Sequence, residues 1–286
     1  MLAGYTVMAE IGRGAASVIY LVQHPKTKHV WALKRIEKND PKDQRFIDQA
    51  LSEAAVAQKI RHPGVRHIER VIKSRKHLIT LTEVYLLMEY VDGISVEAHP
   101  PGTFEEAMEI FKQSASAIDA LHKAGYVHAD MKPNNIVVCE NGEVKIIDLG
   151  QACPIGTVKE RIQGTPEYIA PEQVHRRQIT PRTDIYNFGA TMYWVLTQKH
   201  IPTAIPKGDS LVSSIEDSRI ERPAPPAEVN QRIPLALSDL IMECIEVAPA
   251  DRPESMQDIL AVLENVEDEI EMMQATQKRR TEAESA

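Results

Sequence analysis

Apolar and polar positions alternate in three short runs near the start of the chain, residues 6–11, 17–23 and 30–36, separated by a Gly-containing stretch and by Pro25-Lys26-Thr27-Lys28. Alternation with that punctuation predicts consecutive antiparallel strands. After Asn39-Asp40-Pro41-Lys42 the period changes. Phe46, Ala50, Ala57 and Ile60 recur at spacings of four and three, with Glu53 on the same face, which predicts a helix. Two further strand-like segments follow, the second over 83–90, and Asp92-Gly93 closes the β-rich part, where a domain boundary is expected. Beyond it the pattern is mostly helical. Residues 104–124 carry apolar side chains at helical spacing up to Gly125, and short strands over 136–138 and 144–147 flank the hairpin signal Asn141-Gly142. Six prolines between 202 and 234 read as a surface excursion between helices rather than a second linker, and apolar helices resume at Leu235. From Glu267 the chain is charged without a dense apolar face, as in a solvated helix or a frayed tail.

At 286 residues and 43% hydrophobic, the chain can bury a substantial core in one large or two small domains. A net charge of -8, with both signs interspersed, argues against a nucleic-acid or polybasic membrane surface and is compatible with basic protein substrates. Cys139, Cys153 and Cys244 are far apart and lack metal-ligand spacing, so reduced thiols in the cytoplasm are expected, with neither disulfides nor zinc. The first residues lack the regions of a signal peptide, and no apolar run approaches the roughly 18 residues a membrane span needs. A soluble chain is expected.

Ile11-Gly12-Arg13-Gly14-Ala15-Ala16-Ser17-Val18 sets two glycines and small residues between two strands, which lets backbone amides approach phosphate oxygens. Taken alone, such a loop is more often a plain hairpin turn. Strand alternation over 31–36 points Leu33 and Arg35 to one face and Ala32, Lys34 and Ile36 to the other. A lysine among apolar neighbours needs an anionic partner, and Glu53 on the apolar face of the next helix is the natural one, since an unpaired buried charge costs several kcal/mol. Taken by themselves, the two residues favour a place at the rim, snorkelling to water.

The strongest signal is Tyr126-Val127-His128-Ala129-Asp130-Met131-Lys132-Pro133-Asn134-Asn135, followed 18 residues after Asp130 by Asp148-Leu149-Gly150. This resembles the catalytic loop and metal-binding triplet of the eukaryotic-like, Hanks-type serine/threonine protein kinases, with a likeness to the bacterial members. Residues 164–172, Gly-Thr-Pro-Glu-Tyr-Ile-Ala-Pro-Glu, resemble the end of the family's activation segment. Asp184-Ile185-Tyr186-Asn187-Phe188-Gly189 resembles the helix that anchors that segment, and Asp251-Arg252-Pro253 resembles the family's late arginine, partner of the glutamate at 172. The motifs stand in the family's order over roughly residues 5–266.

The resemblance implies an α+β, bilobal fold, with a small N-terminal antiparallel sheet lobe plus one helix and a larger, mainly helical C-terminal lobe. It divides the chain into a kinase domain over 5–266 (N-lobe about 5–88, hinge 89–93, C-lobe about 94–266) and a charged tail over 267–286. It further implies ATP and magnesium, with manganese an alternative, and protein substrates bearing serine or threonine. Ile11, Gly12, Arg13, Gly14, Ala15, Ala16, Ser17 and Val18 would cover the phosphates. Lys34 would hold the α- and β-phosphates, fixed by Glu53, and Asn135 and Asp148 would hold the metal. Asp130 would accept the substrate hydroxyl's proton, Lys132 would reach the transferring phosphate, and Thr165 would hydrogen-bond that pair. The adenine would sit against hinge backbone from Glu89 to Val91, with Met88 guarding the rear pocket and Ala32 and Val18 as the apolar ceiling.

Three positions depart from the family pattern. Ala129 replaces the arginine that in many members pairs with a phosphorylated activation-loop residue. Between Gly150 and Gly164 only Thr157 could take a phosphate, so a constitutively ordered segment is expected. Leu149 replaces a phenylalanine, Ser17 a third loop glycine, and Cys153 reads as a packed, inert thiol. A catalytically silent nucleotide- or partner-binding module is the main rival reading, but the residues such modules usually lack are all present. A small-molecule phosphotransferase would not be expected to carry residues 164–172. Neither the physiological substrate nor the oligomeric state is written in a local motif.

Overall fold

The computed structural model describes residues 1–14, 16–76, 80–203, 205, 216–268 and 270. The first part is a five-stranded antiparallel sheet with one helix. Strands β1 (Thr6–Arg13), β2 (Ser17–Gln23), β3 (Val30–Glu37), β4 (Ile68–Lys76) and β5 (Thr80–Glu89) lie in the order β1-β2-β3-β5-β4. Helix α1 (Gln44–Ala57) packs against β3, β4 and β5. Alternation in β3 divides as its sequence predicts. Leu33 joins Tyr5, Val22, Tyr85 and Leu87 on one face, whereas Ala32 and Ile36 belong to the main core with α1. The stripe that α1 buries is Ile47, Ala50, Ala54 and Ala57 together with Glu53, while Phe46 is only half-buried and Ile60 lies beyond the helix end. The expected face is the buried one, since Ala50, Glu53, Ala57 and Ile60 are all buried and Phe46 packs against the same core, and Ile47 and Ala54 widen it.

The second part is mostly helical. A short strand β6 (Gly93–Ser95) leads to α2 (Phe104–Lys123), β7 (Tyr126–Val127), β8 (Ile136–Cys139), β9 (Val144–Ile146) and β10 (Cys153–Pro154). Then come α3 (Pro171–Val174), α4 (Pro181–Thr197), α5 (Pro226–Val229), α6 (Leu235–Cys244) and a last helix over 256–268. Helix α2 starts at a reciprocal cap, with Glu106 N–H donating to Thr103 Oγ1 at 3.1 Å and Thr103 N–H to Glu106 Oε2 at 3.3 Å. It ends where Gly125 takes φ +86°. Helix α4 is buried on nearly every side. Gly189 makes this possible, since a Cβ there would fall 2.6 Å from the Cβ of Cys244 in α6.

One continuous core runs from the α1 side of the sheet through α2, α4 and α6. Strands β6, β8 and β9 form a small sheet, β7 pairs with β10, and the strands given limits in advance begin and end within two residues of them, except β5, which begins three residues earlier. Part of the proline-rich stretch, Pro206 included, and most of the tail fall outside the described residues. The three cysteines are free thiols, with Cys153 and Cys244 buried. Among the described residues no helix is long and apolar enough to cross a membrane.

Candidate active site

The site is assembled where the sheet faces the loops of the helical part. Residues 128–130 make a tight turn in which Ala129, fully buried, adopts φ +60°, a conformation costing about 1–3 kcal/mol for a residue with a Cβ. Asp184 at the start of α4 offsets that strain. Its carboxylate, sealed from solvent, accepts from His128 N–H at 2.8 Å, Ala129 N–H at 2.7 Å and His122 Nε2 at 2.8 Å. Gln173 Nε2 donates to the Ala129 carbonyl at 2.8 Å, and Asn187 Nδ2 to the Tyr168 carbonyl at 2.7 Å. Residues 164–173 are thereby tied to the same turn.

Held in this way, Asp130 sits in a closed triangle. Its Oδ1 accepts from both the N–H and the hydroxyl of Thr165, each at 2.9 Å. Lys132 Nζ donates to Thr165 Oγ1 at 2.8 Å and lies 3.3 Å from Asp130 Oδ2. Asn135 Nδ2 donates to the Asp130 carbonyl at 2.8 Å, so its oxygen is the end left to accept. Asp148, at φ +65°, exposes its carboxylate to the cleft 4.0 Å from Lys34 Nζ. Burial pushes its pKa upward, but the charges of Lys34, Arg66 and His128 and the Gly150 N–H outweigh this and hold it below the usual aspartate value. A Cβ at Gly150 would stand 3.0 Å from Asp148 Oδ1 and 3.1 Å from Gln49 Nε2, so a side chain there would press on both.

Lys34 and Glu53 meet directly, Nζ to Oε2 at 2.7 Å, with Glu53 2% exposed, so neither sits at a solvated rim. A cavity of about 180 Å³ opens beside them, lined by Ala16, Ser17, Lys34, Phe46, Gln49 and Glu53. In the glycine loop, Ile11, Gly12 and Arg13 end β1, Gly14 N–H donates to the Ser17 carbonyl at 2.8 Å, and Val18 pairs with Arg13 and Arg35 across the sheet. Arg13 is engaged by Glu10 at 2.9 Å, and Ala15 lies outside the described residues. Ala32 and Met88 are buried opposite one another on β3 and β5. Glu89 N–H is taken by the His67 carbonyl and its carboxylate by Lys145 at 2.7 Å, whereas Val91 lies outside any strand.

Residues 5–262 match the protein kinase domain. The chain belongs to the protein kinase family. A probable serine/threonine-protein kinase of Clostridium acetobutylicum is 30% identical over 270 residues, 92% of this chain and 40% of that protein. Serine/threonine-protein kinase PknB of Mycobacterium tuberculosis is 27% identical over 266 residues, 90% of this chain and 42% of that protein. Sperm motility kinase 2B of Mus musculus is 30% identical over 258 residues, 88% of this chain and half of that protein. The kinase chain thus spans about two fifths of the bacterial relatives' lengths.

Protein kinases use ATP and divalent metal ions. Among the described residues no group of three or more His, Cys, Asp or Glu side chains could hold a metal ion. One carboxylate and one amide oxygen, from Asp148 and Asn135, fit a hard cation that takes its other ligands from phosphate and water. Two residues of this kinase escape sequence reasoning. Gln49, one helical turn before Glu53, donates to the Gly150 carbonyl at 3.0 Å, and only the i,i+4 spacing hints at it. Arg66, in the loop before β4, approaches Glu53 and has no local signature.

Proposed function

We propose that this kinase transfers the γ-phosphate of ATP to serine or threonine hydroxyls of proteins, with magnesium as the working ion and manganese a substitute. The observation that carries the reading is the Asp130–Thr165–Lys132 triangle in the same cleft as Lys34 and Asp148. In it, Asp130 Oδ1 is saturated by Thr165, and Oδ2 is left to take the proton of an incoming hydroxyl. Lys132 neutralises charge on the transferring phosphate, Lys34 holds the inner phosphates, and Asn135 and Asp148 hold the metal. When bound, the ion supplies the positive charge that phosphoryl transfer needs on the phosphate oxygens. Residues 11–18 close over the phosphates. Adenine sits under Val18 and Ala32, beside Met88 and the backbone from Glu89 to Val91. The threonine partner of the Asp130–Lys132 pair supports serine/threonine rather than tyrosine specificity, in keeping with the names of the bacterial relatives.

In this reading the domain covers residues 5–266, with the hinge at 89–93 and a tail from 267, and the chain works in the cytoplasm on basic protein substrates. Transfer of radiolabelled phosphate to a generic basic protein tests it. The wild type should label the protein, and Asp130→Asn and Asp148→Ala should not. Equal labelling by all three would overturn the assignment.

A further inference from the structure

The segment between Gly150 and Gly164 is tied to the rest of the protein unevenly. Its first half is laced by backbone: Ile155 N–H donates to the Gly125 carbonyl at 3.1 Å, Gly156 N–H to the Ile179 carbonyl at 2.8 Å and Ile179 N–H to the Thr157 carbonyl at 2.9 Å, and Val158 bridges Gln178. Over residues 159–163 no backbone N–H reaches a backbone carbonyl among the described residues. The tie there is a side chain. Lys159 Nζ turns back to donate to the Gln151 carbonyl at 2.8 Å and to Gln151 Oε1 at 3.1 Å. The carbonyl just before it, that of Gly150, is taken by Gln49 of α1 at 3.0 Å. The chain that leaves Asp148 is thus held by the helix at one residue and by its own segment at the next.

Lys159 is placed at a cost. It is half-buried, and among the described residues it makes no ion pair. Burial holds its pKa below the usual lysine value, with Cys153, Asp130 and Asp184 opposing this. Asp130 and Asp184 are the carboxylates of the catalytic turn, where Ala129 packs with Val127, Cys153 and Ile179 and brings no cation of its own. An ammonium that is partly desolvated and bonded only to neutral oxygens adds little to stability, so stability does not account for its position.

We infer that Lys159 is a positioning residue for phosphoryl transfer: its ammonium staples the unlaced end of the segment to Gln151 and so sets Thr165 against Asp130 without a phosphate on the segment. The inference rests on reading Asp130 and Thr165 as parts of the transfer site. An ammonium suits the task because its donors rotate on a flexible stem and serve two acceptors at once. The geometry it guards is demanding, since a misplacement of about 1 Å can cost about 10² in rate.

The test compares wild type, Lys159→Met and Lys159→Arg in the full chain after treatment with a protein phosphatase, measuring kcat, KM for ATP and Tm, with Asp130→Asn as the inactive reference. Lys159→Met should lower kcat about tenfold or more with KM for ATP within about twofold, and Lys159→Arg should recover kcat to within about threefold of wild type. The Tm of Lys159→Met should stay within about 3 °C of wild type, and wild type should keep its activity after the phosphatase. If Lys159→Met does not fold, Lys159→Gln, which removes the charge and keeps a polar side chain, is read against the same limits. A Lys159→Met kcat within about twofold of wild type beside an inactive Asp130→Asn overturns this inference alone. So does a Tm that collapses with the activity, or a wild type that the phosphatase silences. An Asp130→Asn variant as active as wild type overturns the transfer-site reading and this inference with it.

Discussion

Two buried ion pairs in this kinase are built on opposite plans. Arg252 meets Glu172 through two parallel bonds, Nη1 to Oε1 at 2.8 Å and Nη2 to Oε2 at 3.0 Å. Its remaining donors reach the carbonyls of Glu246, Arg182 and Val247, and its plane covers the Tyr186 ring at 4.8 Å. Lys34 and Glu53 share a single bond, leave Glu53 Oε1 without a hydrogen bond, and lie next to the exposed Asp148. The first pair is saturated, so no rearrangement could improve it, and it fastens the end of the activation segment to the last helices. The second is held short of saturation at the edge of a cleft. Incomplete pairing of this kind costs stability, and it lies where the structure opens to the cleft.

The sharpest way to break the contrast is at the saturated pair. Arg252→Met strands the Glu172 carboxylate in the core and should cost about 3–5 kcal/mol, seen as a fall in Tm on the order of 10 °C. An unchanged melting curve would show that the pair is not structural. Lys34→Met should lower phosphate transfer by about 10² or more and, because it strands the buried Glu53 carboxylate, should also lower Tm, but by less than Arg252→Met since Arg66 still stands 3.9 Å from Glu53. A matching collapse in stability would erase the distinction between the pairs.

The activation segment belongs with the saturated plan. Gly156 N–H donates to the Ile179 carbonyl, Ile179 N–H to Thr157, and the Thr157 hydroxyl to the Pro154 carbonyl. Ala129 packs with Val127, Cys153 and Ile179. Thr157→Ala should therefore leave activity within about threefold of wild type, and a large loss would mean that a phosphate is needed there after all. The smallest effect concerns His62. Burial holds its pKa below the usual histidine value, with the Lys145 charge adding to this and Asp119 opposing it. The fold favours the neutral ring, so its contribution is complete above the ordinary pKa near 6.5 and is lost as the pH falls through that value towards the lower folded one. The decline in Tm between about pH 7.5 and about pH 5.5 should be shallower in His62→Gln, and identical slopes would remove His62 from the acid sensitivity.

Much of this was legible beforehand, and for identifiable reasons. The alternation in β3 separated Leu33 from Ala32 and Ile36, and Gly125 marked the end of α2, because each signal acts over a few residues. The buried face of α1 was legible at Ala50, Glu53 and Ala57, whereas Ile47 and Ala54 widen it because the helix is covered more broadly than a single apolar stripe shows. In the site, the rim and buried readings of Lys34 and Glu53 were separable only once β3 and α1 stood against each other.

What the amino-acid order determined by itself is the set of chemical groups, their succession and the local elements that carry them, since strand alternation, helix capping and turn preference are short-range effects. Tertiary structure alone decided that Gln49 reaches Gly150, that Asp184 holds the strained turn at Ala129, and that Arg66 faces the unpaired oxygen of Glu53. These contacts join residues far apart in the chain, and charge–charge and hydrogen-bond energies fall away within a few ångströms. Their existence therefore depends on where the packed backbone sets each side chain.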